Sequence, residues 1–303
     1  MRTSLDCLPC FLRQALYTAR LCSADPAVQK NIMVGILPVL SNLNWELSPP
    51  ENAVAIYDFI ATTGGCNDPF AALKKESTAV ARKLHPQLRE IINSAPDPFE
   101  VAVKLTLAGN IIDYGSQQSF DIEQTIKDCL TDPHRGSTTR QFQRDVEQAD
   151  TILYLGDNCG ELIFDSLFIE LLQAMGKTIT FAVKERPIIN DALYADALEA
   201  DIDRYCQVIS NGTGVPGTPL PQCSDSFRSA FHKADLVISK GQGNFETLSE
   251  VSGPIYYLLT VKCEVVARHI SLMLGHPTST NEIPQMGDMA LIKNSTWERT
   301  TIE

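Results

Sequence analysis

Residues 151–161 have the sequence Thr151-Ile-Leu-Tyr-Leu-Gly-Asp-Asn-Cys-Gly-Glu161, an apolar run followed by a polar turn that contains two glycines. A second apolar run, Thr178-Ile-Thr-Phe-Ala-Val183, is followed by Asn190-Asp191. Short apolar runs of this kind are typical of buried strands, and a helix-like stretch follows each turn. The two units therefore predict neighbouring β-α segments of a mostly parallel sheet.

The remainder of the C-terminal half continues this alternation. Further apolar runs lie at 204–209, 235–239 and 255–260, with helical stretches of about a dozen residues between them. The N-terminal half instead shows helical periodicity, for example over 69–84. A polar, breaker-rich segment at 132–139 marks a junction between the two halves.

These patterns predict an α/β fold. We expect a three-layer α/β/α, mostly parallel, Rossmann-like sheet with an N-terminal all-helical subdomain. The helical subdomain is placed at residues 1–145 and the α/β/α catalytic domain at 146–303. A chain of 303 residues is long enough for two domains. The order of the strands cannot be derived from the sequence.

Composition excludes several classes of protein. The formal charge of −12 argues against a nucleic-acid or acidic-membrane partner, but a small phosphorylated substrate could still be held by local cations. No apolar run reaches the ~18 residues of a membrane-spanning helix, and the N-terminus lacks a signal-peptide core. The odd number of cysteines, nine, favours reduced thiols. We therefore expect a cytoplasmic protein, and its oligomeric state stays open.

Polar side chains follow the first two predicted strands. The carboxyl ends of neighbouring parallel strands share one crevice, so Asp157, Asn158 and Asp191 are expected to meet there. Two carboxylates and a carboxamide form an oxygen-only set suited to a divalent ion such as Mg²⁺ or Mn²⁺. Asp and Asn after a strand are also favoured as helix N-caps, and the turn alone does not decide between the two roles.

Basic residues lie at the same predicted edge. Arg186 can grip a phosphate with two parallel hydrogen bonds, whereas Lys184 alone is better explained as part of a solvated turn. Lys240 ends the fourth strand and precedes Gly241-Gln-Gly-Asn244, whose backbone amides could face an anion. Lys262 is either a further cation at this edge or a surface residue.

Two features of the N-terminal half could also carry chemistry. Cys7-Leu-Pro-Cys10 is a single pair of candidate ligands for a second, structural metal, to which Cys66 could add a third thiolate. Buried thiols are an equally good interpretation. Asn110 and Asp113 interrupt an apolar helix and either face the crevice or serve packing and capping.

Taken in order, these motifs resemble those of the damage-control phosphatase family, formerly a domain of unknown function (number 89), and in particular its prokaryotic branch with an N-terminal Cys-x-x-Cys. The resemblance covers nearly the whole chain. The motifs that carry it are Cys7-Leu-Pro-Cys10, Asp68-Pro69-Phe70, Gly109-Asn110 with Ile112-Asp113, Gly156-Asp157-Asn158-Cys159-Gly160-Glu161 with Phe164-Asp165, Arg186-Pro187 with Asn190-Asp191, and Lys240-Gly-Gln-Gly-Asn-Phe-Glu246.

The resemblance implies a phosphatase that uses one divalent ion (Mg²⁺, Mn²⁺, Co²⁺ or Ni²⁺) and acts on small phosphometabolites, particularly sugar phosphates and their damaged forms. The implied metal ligands are Asp157, Asn158 and Asp191. Lys240 corresponds to a lysine that contacts phosphate. Glu161 matches a motif position whose role is less defined.

The resemblance and the predicted edge together give the expected site. The expected catalytic residues are Asp157, Glu161, Arg186 and Lys240. The expected substrate contacts are Asn110, Asp113, Lys240, Gly241 and Asn244.

The alternatives are a methyltransferase and a non-catalytic sensor. A methyltransferase using the same cleft would need a glycine-rich S-adenosylmethionine loop, which does not follow the first strand. A non-catalytic sensor of a sugar phosphate or nucleotide has no need of the Asp-Asn-Asp set. For a phosphatase, either Asp157 or an activated water could attack phosphorus, and a single-ion site with a ligating Asp favours water.

Overall fold

The computed structural model describes residues 1–109, 122–131, 135–275 and 284–294. Within these ranges seven strands form one sheet in the order β1-β7-β6-β5-β2-β3-β4. Neighbouring strands are parallel except for β6 and β7, which are antiparallel. The strands are β1 (Arg135–Gly136), β2 (Thr151–Leu155), β3 (Thr178–Val183), β4 (Gln207–Ser210), β5 (Leu236–Lys240), β6 (Ile255–Thr260) and β7 (Met289–Lys293).

Helices precede the sheet and connect its strands. In the described ranges they are α1 (Cys7–Cys22), α2 (Pro26–Ser41), α3 (Pro49–Gly64), α4 (Ala71–Ser94), α5 (Pro98–Ala108), α6 (Ile122–Thr131), α7 (Thr139–Gln148), α8 (Leu162–Ala174), α9 (Tyr194–Glu199), α10 (Asp225–Lys233), α11 (Gln242–Leu248) and α12 (Glu264–Met273). None of them combines the length and the hydropathy that a bilayer crossing demands.

The helix starts follow from local sequence. The Asp25 carboxylate accepts a hydrogen bond from the backbone of α2 at 2.8 Å, and Asp97 does the same for α5 at 3.0 Å. At α3 the Glu51 side chain accepts from the Ser48 backbone N–H at 3.0 Å. Each of these three helices has proline in its first turn, where the missing N–H costs nothing.

The sheet is covered on both faces. Ile152 and Tyr154 of β2 point into a core shared with α4, α5, α7 and α8. Leu153 and Leu155 point into a second core shared with α10, α11 and α12. Because successive side chains of a strand alternate between faces, one strand serves two cores. The resulting three layers confirm the predicted α/β/α fold.

The N-terminal helices divide between two cores. Helices α1, α2 and α3 bury Phe11, Ile36 and Ile60 against one another. Helices α4 and α5 instead pack on the sheet, and β1 pairs with β7 although it precedes residue 145. The division into domains at 145 and 146 stays a prediction.

The strand order creates a switch point between β2 and β5. From β2 the chain continues outward through β3 to β4, whereas β5 lies on the other side of β2 and is followed outward by β6. The two connections leave in opposite directions, so a crevice opens at the carboxyl ends of β2 and β5. Gly156 and Gly241 are the first residues beyond these two ends.

Candidate functional site

Backbone hydrogen bonds bring together the turns that follow β2 and β3. Asn158 and Asp191 form an isolated antiparallel bridge, and the Ala192 N–H donates to the Asp157 carbonyl at 2.8 Å. The side chains of Asp157, Asn158 and Asp191 are all buried, with exposures of 8%, 4% and 1%. The expected meeting of these residues at one sheet edge therefore occurs, while their role as metal ligands stays a prediction.

Gly241 lets the β5 turn approach this cluster. Its φ of +78° and ψ of 162° lie in a region that essentially only glycine adopts. A Cβ atom at this position would lie 2.0 Å from Asp157 Oδ2. The glycine is therefore required both by the backbone and by the carboxylate beside it.

Lys240 is enclosed by acidic groups. Its Nζ donates to Glu161 Oε2 at 2.9 Å and to Asp165 Oδ1 at 2.8 Å, and its side chain is 1% exposed. The Tyr154 hydroxyl donates to the same Asp165 oxygen at 2.7 Å. Burial lowers the pKa of Lys240, but the two carboxylates outweigh it and raise the pKa above its usual value. The lysine therefore stays charged.

Lys184 is buried, so its interpretation as part of a solvated turn was wrong. Its side chain is 2% exposed, and Nζ donates to the Gly217 carbonyl at 2.7 Å and to Asn244 Oδ1 at 3.2 Å. It also lies 3.6 Å from Asp191 Oδ2. The segment 213–218 covers the end of β3, which the local sequence around Lys184 does not reveal. Lys262, by contrast, is exposed.

Asn244 links the two central strands to the covering segment. Its Nδ2 donates to the carbonyls of Gly156 and Lys240, at 3.1 and 2.8 Å. Its Oδ1 accepts from Lys184 and from the Thr218 hydroxyl. These contacts give it a structural role, and its predicted contact with substrate is not tested by them.

The buried ionisable groups do not balance in charge. Among the described residues the set comprises the acidic Asp157, Glu161, Asp165, Asp191 and Glu246 and the basic Lys74, Lys184 and Lys240. Five carboxylates and three ammonium groups give a formal charge of −2 when all are ionised. Burial raises the pKa of Asp157 well above its usual value, and the neighbouring Glu161 and Asp191 raise it further. Burial also raises the pKa of Asp191 to about 6, although Lys184 opposes the shift.

The donor set fits a hard divalent cation. Neither carboxylate oxygen of Asp191 has a hydrogen-bond partner in the part of the chain that the structure describes. A buried carboxylate in that state is costly unless a cation satisfies it. No group of three or more His, Cys, Asp or Glu within the described ranges is placed to hold a metal. The candidate set instead combines two carboxylates with the Asn158 amide, a combination typical of oxygen-ligated ions.

Arg186 lies apart from the buried set. Its guanidinium donates to both carboxylate oxygens of Asp58 in α3, at 2.9 and 3.2 Å, and both side chains are about half exposed. The Cα of Gly214 packs against its side chain so closely that a Cβ would lie 2.5 Å from Arg186 Cγ. A phosphate bound by Arg186 would have to compete with Asp58.

The remaining predicted residues are placed as follows. Cys7 Sγ lies 3.6 Å from the Ser4 hydroxyl, and Cys10 Sγ accepts from Gln14 at 3.4 Å. Cys66 lies beside Cys22, whose pKa rises to about 11 through burial first and then through its hydrogen bond with Cys66. A structural metal at Cys7 and Cys10 stays a prediction.

Two predicted substrate contacts, Asn110 and Asp113, lie outside the described residues.

Sequence reasoning did not assign roles to Asp165 and Tyr154. A signal for Asp165 was present, because it is an acid within the mostly apolar run Leu162-Ile-Phe-Asp-Ser-Leu-Phe-Ile169 and lies four residues after Glu161. Residues four apart share a helical face. Tyr154 had no such signal, since a buried tyrosine hydroxyl usually has a hydrogen-bond partner but the local sequence does not indicate which one.

The fold and the buried cluster define an α/β protein with a candidate cation site at the switch point of its sheet. The chain belongs to the damage-control phosphatase family: the family model described as Damage-control phosphatase ARMT1-like domain matches residues 3–275. Assignment to the Cys-x-x-Cys branch stays a prediction.

Similar proteins cover most of this chain. It is 34% identical to a damage-control phosphatase of Pyrococcus horikoshii over 91% of this chain and 96% of that one. It is also 34% identical to a damage-control phosphatase of Archaeoglobus fulgidus, over 91% and 97% of the two chains. The crystal structure of a DUF89 family protein from Pyrococcus horikoshii is similar with a TM-score of 0.86 at 33% identity, covering 97% of this chain and 99% of that one.

Proposed function

We propose that this protein is a metal-dependent phosphatase that hydrolyses phosphomonoesters of small metabolites, such as sugar phosphates or their damaged forms. The relatives named damage-control phosphatase support the phosphatase role. Metal dependence is our inference from the charge and the hydrogen bonding of the buried set. The buried set carries a formal charge of −2, and both oxygens of Asp191 lack a hydrogen-bond partner among the described residues.

Asp157, Asn158 and Asp191 would hold the cation. When bound, a divalent ion would polarise a phosphoryl oxygen and offset its negative charge. Burial of the three side chains excludes water from the reacting centre, where each electrostatic interaction is stronger than in bulk solvent. Gly241 leaves the space beside Asp157 that a side chain would fill.

Two basic side chains, Lys184 and Arg186, have separate roles in this proposal. Lys184 anchors the covering segment through Gly217 and offsets the charge of Asp191. Arg186 would release the Asp58 carboxylate and bind the phosphate in its place, at the exposed edge of the site. A guanidinium can bind either anion with two parallel hydrogen bonds.

Phosphate release tests the proposal. The protein is freed of metal with chelator and then assayed on a panel of sugar phosphates with Mg²⁺, Mn²⁺, Co²⁺ or Ni²⁺. We expect hydrolysis with at least one ion and none in excess chelator. If folded protein releases no phosphate with any of the four ions, the proposal fails. Tight sugar-phosphate binding without turnover would then favour the sensor function.

A second prediction separates Arg186 from its partner. Arg186→Ala is expected to raise KM about 10-fold, because a charge-assisted hydrogen bond contributes about 1.5–3 kcal/mol. Asp58→Ala should lower KM or leave it unchanged, because it frees the guanidinium. Both variants should change the free energy of unfolding by less than about 1 kcal/mol, as is usual for exposed ion pairs. Equal increases of KM in the two variants would mean that the pair only holds α3 in place.

A further inference from the structure

We propose that Glu161 and Lys240 are positioning residues that orient the Asn158 carboxamide toward the cation, and that Lys240 does not contact the phosphate. The inference rests on the proposed function, since it assumes the cation held by Asp157, Asn158 and Asp191. It assigns these two residues a task different from the catalytic one that the sequence suggested.

Hydrogen bonds donated by the amide nitrogen fix the orientation of the Asn158 carboxamide. Asn158 Nδ2 donates to Glu161 Oε1 at 2.7 Å and to Asp157 Oδ2 at 3.1 Å. An amide turned by half a rotation would set its oxygen against both carboxylates, losing two hydrogen bonds and adding repulsion. With Nδ2 held by both carboxylates, Oδ1 is the atom of the Asn158 amide that can bind a cation.

Glu161 is itself positioned by a second contact. Its side chain is 1% exposed, and a buried carboxylate needs a counter-charge. Lys240 donates to its other oxygen, Oε2, at 2.9 Å. The ammonium thus offsets the charge of Glu161 and fixes the position of its second oxygen, so that Oε1 faces Asn158.

Lys240 is also held by Asp165, which in turn is held by Tyr154. Asp165 Oδ1 accepts from Lys240 at 2.8 Å and from the Tyr154 hydroxyl at 2.7 Å. Asp165 lies four residues after Glu161, at the start of α8, so both carboxylates face β5 from one side of the helix. A continuous series of contacts, here called the relay, thus runs from Tyr154 through Asp165, Lys240 and Glu161 to Asn158. Two strands and a helix hold it in place.

This arrangement is unsuited to gripping a phosphate. Two of the three Nζ–H groups of Lys240 point to carboxylates, and the side chain is 1% exposed. An incoming phosphate would meet the anionic Glu161 and Asp165 beside the ammonium. A hydrogen bond that orients a metal ligand, by contrast, commonly changes metal affinity by about 10–100-fold when it is removed.

The test compares metal affinity with substrate affinity. Dissociation constants for Mn²⁺ are measured by calorimetry on metal-free protein, without substrate, for wild type, Glu161→Gln and Lys240→Met. KM and kcat are then measured at saturating Mn²⁺. We expect the Mn²⁺ dissociation constant to rise about 10–100-fold in both variants, with KM within about twofold of wild type.

Asp145→Asn is the matched control. Asp145 likewise accepts from a tyrosine and a lysine, Tyr256 at 2.6 Å and Lys293 at 2.8 Å, but at the amino end of β6. It should leave Mn²⁺ affinity unchanged. Tyr154→Phe removes only the outer hydroxyl of the relay and is the variant to use if Lys240→Met does not fold. It should weaken Mn²⁺ binding by less than Glu161→Gln does.

The outcomes separate the inference from the proposed function. A raised KM in Lys240→Met with unchanged Mn²⁺ affinity would overturn the inference and return Lys240 to the phosphate. Wild-type Mn²⁺ affinity in folded Glu161→Gln would also overturn it. If wild type binds no Mn²⁺ and hydrolyses no phosphoester, the proposed function itself fails.

Discussion

Asp191→Asn is expected to lower kcat/KM about 1,000-fold and to weaken Mn²⁺ binding, while metal-free protein becomes no less stable. The activity falls because the variant removes one of two ligating charges. A metal contributes several kcal/mol of transition-state stabilisation, and each 1.36 kcal/mol is tenfold in rate. Stability is spared because Asp191 belongs to an excess of buried carboxylates, and because Lys184, its ion-pair partner at 3.6 Å, keeps its hydrogen bonds to Gly217 and Asn244.

The experiment pairs kinetics with unfolding. Activity is assayed over a Mn²⁺ titration, and thermal unfolding is measured in chelator. Asp157→Asn should lose activity in the same way, whereas Asp145→Asn, which alters a carboxylate held by Tyr256 and Lys293, should keep it. Full metal-dependent activity in both Asp191→Asn and Asp157→Asn would show that the site lies elsewhere.

Gly241→Ala should abolish Mn²⁺ binding and phosphate release. The added Cβ would lie 2.0 Å from Asp157 Oδ2, so the carboxylate or the β5 turn must move. The backbone of Gly241 also lies in a region that costs other residues about 1–3 kcal/mol. The loss of binding therefore accompanies a measurable loss of stability.

Gly275→Ala separates these two effects. Gly275 has a φ of +68°, but a Cβ there would meet no atom within 4 Å. Its substitution should destabilise the protein through the backbone alone and leave Mn²⁺ affinity intact. If Gly241→Ala binds Mn²⁺ as tightly as Gly275→Ala does, the space beside Asp157 is not part of the cation site.

The sequence predicted those parts of the fold and site that local patterns determine. The strand-turn pattern was enough to place Asp157, Asn158 and Asp191 at one edge, because parallel strands expose their carboxyl ends together. The helix predicted over 69–84 was correctly placed but begins at Ala71 and continues past Pro86 to Ser94. Burial of Leu88 and Ile92 in the sheet core accounts for the extension.

Contacts between distant parts of the chain could not be predicted from the local sequence. Lys240 meets Glu161 across 79 residues, and Arg186 meets Asp58 across 128. Nothing in either local sequence indicates such a partner. Lys184 was misjudged for the same reason, since its burial depends on the segment around Gly217. The antiparallel β7 was also not predicted.

The central claim is that Asp157, Asn158 and Asp191 hold the catalytic ion. Its most direct test is anomalous diffraction from crystals soaked in Mn²⁺. We predict one manganese peak at the switch point of the sheet, bonded to one oxygen from each of the three side chains. A peak at any other position, or no peak in crystals of protein that shows Mn²⁺-dependent phosphate release in solution, would contradict the account.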